Sequence, residues 1–239
     1  MSAKGESKSC KAVSAPKIVR LSRKERVWTI RVKAGPHKKE FAVALGVVLR
    51  DFAKLGNTLK ETKKIINEGM VKINGVVRKD HQFAVGIFDI ISIEKQKLFY
   101  RVLIDSKGRI VIKEMKKASN EKLCKVEGKK VTKQGIIVLT NDGRMLKNVK
   151  AKVGDTIKLS VPENKLEKVF EMKEGSIAYL INGTHAGEKA KITGIVSGTA
   201  TRKKLVKMEL LGEEKKEFET TVEKVFVIGD KNVELEELK

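Results

Sequence analysis

Lys60, Lys63 and Lys64 fall within five residues, and Lys72, Arg78 and Lys79 follow within the next fifteen. Cations held at fixed spacing suit one kind of chemistry. They set charge against phosphate oxygens and so position a polyanion without reading its sequence. The support they need is legible. Thr58 with Glu61 forms a capping box, so a helix starts there. Leu59, Ile65 and Ile66 supply its apolar stripe and leave the lysines to the other faces. Gly69 stands where a helix end favours a left-handed residue. Val71 and Ile73 alternate with Lys72, and Asn74-Gly75 is a strong two-residue hairpin signal.

Other chemistry is thinly represented. His37, His81 and His185 lie in separate segments with no nucleophile–base arrangement. The sequence has neither a GxxxxGK[ST] phosphate loop nor a GxGxxG stretch. Cys10 and Cys124 are far apart, with no CxxC and no histidine cluster, which argues against a zinc site or a structural disulfide. They read as small hydrophobes.

Charge is the dominant signal. Lys and Arg total 52 against 30 Asp and Glu, a net +22 over 239 residues. The excess is spread along the chain: residues 1–39 carry twelve basic and two acidic residues, and only residues 213–239 are net acidic. A field of this size makes a polyanion the default partner. Hydrophobic residues make up 41%, enough for real cores, and the length favours two or three small domains. No apolar run approaches the ~18 residues of a membrane span. No signal-peptide core and no basic amphipathic helix with exposed aromatics appear either, so a soluble cytoplasmic protein without membrane partners is expected.

The chain reads as multidomain α+β. Residues 1–36 form a basic arm without sustained period, of the kind that orders on a nucleic acid. At its end Trp28, Ile30 and Val32 alternate with Thr29, Arg31 and Lys33, as in a docked strand. Gly35-Pro36 then predicts a helix start, with Phe41, Leu45, Val48, Leu49 and Phe52 repeating towards an end near Leu55-Gly56. The capped helix, the hairpin and a strand in "GIFDIISI" complete a small α+β domain over 37–97. Residues 98–172 read as mostly β, built on "FYRVLIDSKGRIVI", "GIIVLTNDGRMLK" and "VGDTIKLSV", with "KKASNEKLCKV" as an exposed basic connection. Short strands between Gly, Asn and Thr turns over 173–229 suggest a small antiparallel barrel. Residues 230–239 read as an exposed acidic tail.

The stretch "ETKKIINEGMVKINGVVRKDHQFAVGIFDIISI" resembles the RNA-binding domain that ribosomal protein S4e shares with some RNA-modifying enzymes and synthetases. "INGTHAGEKAKITGI" resembles a KOW motif. Further stretches resemble S4e alone and occur in the family's order over nearly the whole chain: "AGPHKKE", "LRDF", "DSKGRIVI", "KLCKV", "NDGRMLK", "KVGDTI" and "FETTVEKVFVIGD". The arm departs from the pattern. "KSCKAVSAP" keeps Lys8, Lys11 and Ala15-Pro16 but has Ser9 and Ala12 where the family has His and Arg. The long basic C-terminal extension of eukaryotic members is absent, which points to an archaeal-type member.

The resemblance implies a structural constituent of the 30S subunit, ribosome-bound in the cytoplasm, that binds 16S-type rRNA beside neighbouring small-subunit proteins and supports assembly and translation. It implies no cofactor, no metal and no small-molecule substrate. The fold it implies ends in a KOW/SH3-like β-barrel. The implied RNA contacts are Lys8, Lys11, Arg20, Arg23, Lys24, Arg26, Arg31 and Lys33 on the arm, then His37, Lys38 and Lys39. The helix and hairpin contribute Lys60, Lys63, Lys64, Lys72, Arg78 and Lys79. Arg109 and Arg144 follow, with Gly183, His185, Gly187, Lys189 and Lys191 of the KOW-like segment. Gly183 and Gly187 would let the backbone approach RNA closely.

Two rivals are weighed against this. Some pseudouridine synthases carry the same kind of RNA-binding domain, but they need an aspartate in a Gly-Arg-Leu-Asp stretch. "GRIVI" at 108 and "GRMLK" at 143 both lack it. A transcription or translation regulator with a KOW docking domain would concentrate its affinity in one domain, whereas the positive charge here is dispersed. Aromatic residues make up 5% and do not interleave with cations, so recognition by shape and phosphate geometry is expected over stacked bases.

Overall fold

The computed structural model describes residues 9–115, 118–133, 135–199, 201–211, 216–230, 232, 233 and 235. Lys8 lies outside the described residues, as does most of the acidic tail; within that tail Leu235 is buried. The chain divides into two compact units, Met1–Leu103 with Arg109–Asn120, and Ile104–Gly108 with Glu121–Lys239.

The first unit opens with β1 (Ser9–Lys11) paired antiparallel to β2 (Trp28–Ile30). Over the described residues this basic segment is docked on the unit, a point its composition alone leaves open. Ile18, Val19 and Ile30 are buried in the unit's hydrophobic core, and Ile110 N–H donates to the Ile18 carbonyl at 2.8 Å. Apolar side chains spaced along a basic segment are enough to dock it.

The helix expected from Gly35-Pro36 is shorter than predicted. One 3-10 turn, Lys39–Phe41, leads into β3 (Ala42–Ala44), and helix α1 covers only Leu45–Val47 before a π-type stretch, Val48–Phe52. β3 pairs with β6 (Ala84–Gly86), and every residue of both strands is buried. A short apolar run buried on both faces has no period that separates strand from helix.

Helix α2 (Leu59–Asn67) leads to the hairpin β4 (Val71–Ile73) and β5 (Val76–Val77). Asn74 and Gly75 both have positive φ, +51° and +77°, as a tight two-residue turn of this hand requires. β7 (Ile90–Ile93), β8 (Leu98–Ile104) and β9 (Ile110–Glu114) extend the hairpin into a five-stranded sheet ordered β5-β4-β7-β8-β9. The segment from residue 98, read from the sequence as opening a separate β domain, thus pairs with the hairpin's sheet.

The second unit contains two antiparallel five-stranded sheets. One is ordered β12-β11-β10-β13-β14, from β10 (Glu121–Thr132), β11 (Gly135–Thr140), β12 (Met145–Lys147), β13 (Thr156–Ser160) and β14 (Lys165–Phe170). The other is ordered β18-β17-β16-β15-β19, from β15 (Ile177–Leu180), β16 (Lys189–Val196), β17 (Leu205–Leu210), β18 (Glu217–Thr221) and β19 (Val225–Gly229).

The basic connection expected around "KLCKV" is instead the interior of β10. Lys122, Leu123, Cys124, Lys125 and Val126 are all buried. Burial pushes the Cys124 thiol well above its usual range and leaves it protonated and inert. Lys125 Nζ donates to the carbonyls of Val222 at 2.5 Å and Val225 at 2.7 Å, tying the two sheets of this unit together.

Candidate nucleic-acid interface

The helix–hairpin is built as its sequence demands. Thr58 Oγ1 accepts the Glu61 N–H at 3.3 Å, and the Thr58 hydroxyl donates to Glu61 Oε1 at 2.9 Å. Glu61 Oε2 accepts the Asn57 N–H at 2.9 Å, so the reciprocal arm of the capping box reaches one residue beyond the cap. The Thr58 hydroxyl, then the Asn57 amide, hold the Glu61 carboxyl below its usual range. Thr62 and Ile66 are buried, which turns Lys60 and Lys64 fully outward and leaves Lys63 half-exposed. All three lysines line one surface depression along the helix.

Gly69, at φ +74°, ends the helix. A Cβ there would stand 3.5 Å from Val77 and 3.7 Å from Lys79 Cε, so the tight junction brings Lys79 beside the helix C-terminus. A buried carboxylate holds the hairpin turn. Asp89 Oδ1 accepts Asn74 Nδ2 at 2.8 Å, and Asn74 Oδ1 accepts the Ile90 N–H at 3.0 Å. The turn that aims Asp89 inward contains Phe88 at φ +62°, held by its N–H on the Val102 carbonyl at 2.9 Å. The cationic loop is therefore fixed to its sheet through side chains as well as strand pairing.

A second concentration of cations lies elsewhere in the first unit. Arg20, Arg26 and Arg109 are exposed and line a groove that also contains Trp28 and Phe52. Lys11, Lys24, Lys38 and Lys39 are exposed, and Arg31 is half-exposed. Lys33 is exposed and stands 3.6 Å from Asp80, and Lys72 on β4 pairs with Glu94, just past the end of β7, at 2.5 Å. Such surface pairs are weak and leave a lysine able to exchange partners.

Several residues taken from the sequence as contacts are turned inward. His37 is buried, its side chain 4% exposed against 1% for Asp89, and its Nε2 donates to Asp89 Oδ2 at 2.9 Å. Arg23 is spent on the chain itself, donating to the carbonyls of Ala12, Val13 and Pro16 at 3.3, 2.8 and 3.2 Å. The Arg78 guanidinium lies 4.6 Å over the Phe83 ring, and its Nε is buried. Arg144 Nε pairs with buried Asp142 at 2.9 Å, and the same guanidinium donates to Asn164. Each meets a partner within the protein, near in sequence for Arg23, Arg78 and Arg144 with Asp142, and 52 residues away for His37.

In the second unit, Lys191 is exposed and Lys189 half-exposed on β16. His185 Nδ1 is 3.0 Å from Glu188 Oε2, and its ring packs 4.6 Å from Phe218. Gly183, at φ +109°, is exposed, and a Cβ there would stand 4.0 Å from Lys224 Cδ. Gly187 corrects an expectation. Its close backbone approach is to its own unit, since a Cβ there would come within 2.7 Å of the Asp105 carbonyl carbon. Nearby, the Tyr179 hydroxyl donates to the Ile104 carbonyl at 2.6 Å and accepts the Ile104 N–H at 3.0 Å. Burial pushes that phenol up to about 12.

Among the described residues no cluster of His, Cys, Asp and Glu could hold a metal ion, and no helix is long and apolar enough to cross a membrane. What the geometry offers is rigidly mounted positive charge on a mostly β scaffold with few helices, the form of a polyanion-binding scaffold protein.

Comparison with known proteins gives that class a family. The pattern described as Ribosomal family S4e matches residues 96–166, and that of the RS4NT (NUC023) domain matches residues 4–40. The small ribosomal subunit protein eS4 of Archaeoglobus fulgidus is 38% identical over 224 residues, covering 93% of this chain and 93% of its own. That of Methanosphaera stadtmanae is 38% identical over 228 residues, covering 94% and 93%. The crystal structure of the 30S ribosomal protein S4e from Thermoplasma acidophilum is similar with a TM-score of 0.68 and 30% identity, over 79% of this chain and 95% of that one. The chain belongs to ribosomal family S4e.

Proposed function

We propose that this chain is a structural constituent of the small ribosomal subunit, bound to rRNA on cytoplasmic ribosomes, and not an enzyme. The observation that carries this is 37–38% identity, over nearly the full length, with archaeal proteins named as small ribosomal subunit protein eS4. The physical reading is a set of preformed cationic surfaces that dock on folded 16S-type rRNA beside neighbouring proteins and hold its helices in register. Lys60, Lys63, Lys64 and Lys79 contact phosphates from the helix–hairpin, which we read as the RNA-binding domain. Exposed Arg20, Arg26 and Arg109 add contacts from the first unit. We read β15–β19 as the KOW-like barrel, supported by the "INGTHAGEKAKITGI" stretch and its antiparallel order, with Lys189 and Lys191 facing RNA. His37, Arg23, Arg78, Arg144 and Gly187 are left out of the contact set because each is engaged internally.

Binding of the full chain to protein-free small-subunit rRNA, measured against salt, tests this. With ~6–10 phosphates neutralised, affinity falls by about three to five orders of magnitude between roughly 50 and 200 mM salt. A slope equivalent to one or two phosphates refutes docking by dispersed charge.

A further inference from the structure

The groove in the first unit is unlike the other cationic surfaces. Its volume is about 700 Å³, within the ~300–1,000 Å³ range of sites that enclose a small ligand. It is too confined to seat a duplex. Its wall carries the protein's single tryptophan, Trp28, with 57% of its surface exposed. The strand reading predicts Trp28 inside with Ile30, but Thr29 and Ile30 are the buried pair and the indole is turned out. Arg20, Arg26 and Arg109 share the groove. Its two carboxylates do not reverse the sign: Arg50 grips Asp51 through two bonds, at 2.7 and 2.8 Å, Arg26 reaches the same carboxylate at 3.5 Å, and Glu25 shares the lining with Arg20 and Arg109. A second, independent feature marks the same wall. Thr29 is buried there, and its Oγ1 has no hydrogen-bond partner among the described residues. An orphaned buried hydroxyl is costly unless something else satisfies it.

We propose that this groove receives one unpaired, unstacked nucleotide of the bound RNA. Trp28 stacks on the base, the arginines hold the flanking phosphates, and a polar base edge satisfies Thr29. An exposed indole among guanidinium groups is the arrangement that holds splayed bases in single-stranded recognition. The groove adds a shape-selective contact to an interface otherwise made of point charges, favouring RNA with an extruded base over uninterrupted duplex. This inference rests on the rRNA-binding reading above.

Because Trp28 is the only tryptophan, its fluorescence reports on the groove alone. The full chain is titrated with protein-free small-subunit rRNA and, separately, with a fully paired RNA duplex. Both bind, but only the rRNA quenches the indole. Trp28→Ala lowers affinity for rRNA about ten- to a hundredfold, the worth of one stacked base, and leaves the salt slope unchanged, since no phosphate contact is lost. Trp28→Phe, which keeps an aromatic face and the fold, restores most of that affinity. Binding with the full salt slope but no quenching, and with Trp28→Ala equal to wild type, overturns the groove and leaves the ribosomal reading intact. Quenching by a polyglutamate peptide as strong as by rRNA assigns the groove to an acidic protein segment and also overturns it. Failure to bind rRNA at all defeats the parent reading and this one with it.

Discussion

Asp89 Oδ2 accepts hydrogen bonds from His37 Nε2 at 2.9 Å and from the Gly86 N–H at 2.8 Å, deep in the first unit. His37 and Asp89 are 52 residues apart in sequence. Through Asn74, the same carboxylate also fixes the turn of the cationic hairpin. One buried charge therefore joins the end of the N-terminal segment, the buried strand pair and the hairpin, and the spacing of the outer lysines depends on it.

Removing that carboxylate leaves three donors without their acceptor. Asp89→Ala is expected to destabilise the protein by about 3–5 kcal/mol, the range for breaking a buried charged network. His37→Ala, which leaves the carboxylate its bonds from Asn74 and the Gly86 amide, costs less. Urea unfolding followed by circular dichroism orders the two variants, and equal midpoints would deny Asp89 its central position.

Gly187 and Gly175 separate steric from conformational effects. Both have positive φ, +79° and +87°, but a Cβ at Gly187 meets the Asp105–Ser106 backbone while one at Gly175 meets nothing within 4 Å among the described residues. Gly175→Ala bears only the left-handed penalty of about 1–2 kcal/mol. Gly187→Ala adds a clash with backbone that cannot rotate away, and is expected to lower the thermal midpoint at least twice as far.

Acid unfolding has a defined contributor in Asp142. Burial alone raises its carboxyl, but the Lys122 ammonium at 2.8 Å, the Thr140 hydroxyl and Arg144 outweigh it and bring the pKa to about 2. The folded value lies below the ordinary 3.8. The stabilisation is therefore fully present above about pH 4 and lost as pH falls towards 2, roughly 2 kcal/mol in all. In Asp142→Asn, stability measured from pH 5 to 2 is lower at the start and falls less steeply. An unchanged acid limb in that variant would contradict the assignment.

The helix lysines are expected to act as independent phosphate contacts. Alanine at Lys60, Lys63 and Lys64 together lowers the magnitude of the salt slope by about two to three, close to 0.9 per contact. It changes stability by no more than about 0.5 kcal/mol per site, as exposed positions do. Arg144→Ala, by contrast, removes one of the groups that offset the burial of Asp142 and lowers stability with little effect on the slope.

What the sequence made legible was local. The capping box at Thr58–Glu61, the Gly69 helix end and the Asn74-Gly75 turn are each specified within a few residues, and each stands where it was expected. Ala42–Ala44 is a strand because of Ala84–Gly86, forty residues on, and no local period carries that information. Charge was legible and its burial was not. Asp89 draws His37 inward, and Asp142 holds both Lys122 and Arg144. The "KLCKV" and "NDGRMLK" stretches lock together: Lys125 N–H donates to Asn141 Oδ1 at 2.9 Å, and the Asn141 N–H returns to the Lys125 carbonyl at 2.9 Å. Stretches that mark the family can therefore belong to the core. Alternation groups Trp28 with Ile30, but Thr29 and Ile30 are the buried pair and the indole of Trp28 is exposed.

The most direct test of the account is sedimentation of native cell extract through a sucrose gradient, with every fraction probed for this chain. A ribosomal constituent co-migrates stoichiometrically with small ribosomal subunits, and the association survives moderate salt. Recovery of the chain mainly at the top of the gradient, or bound to another RNA, would contradict that role.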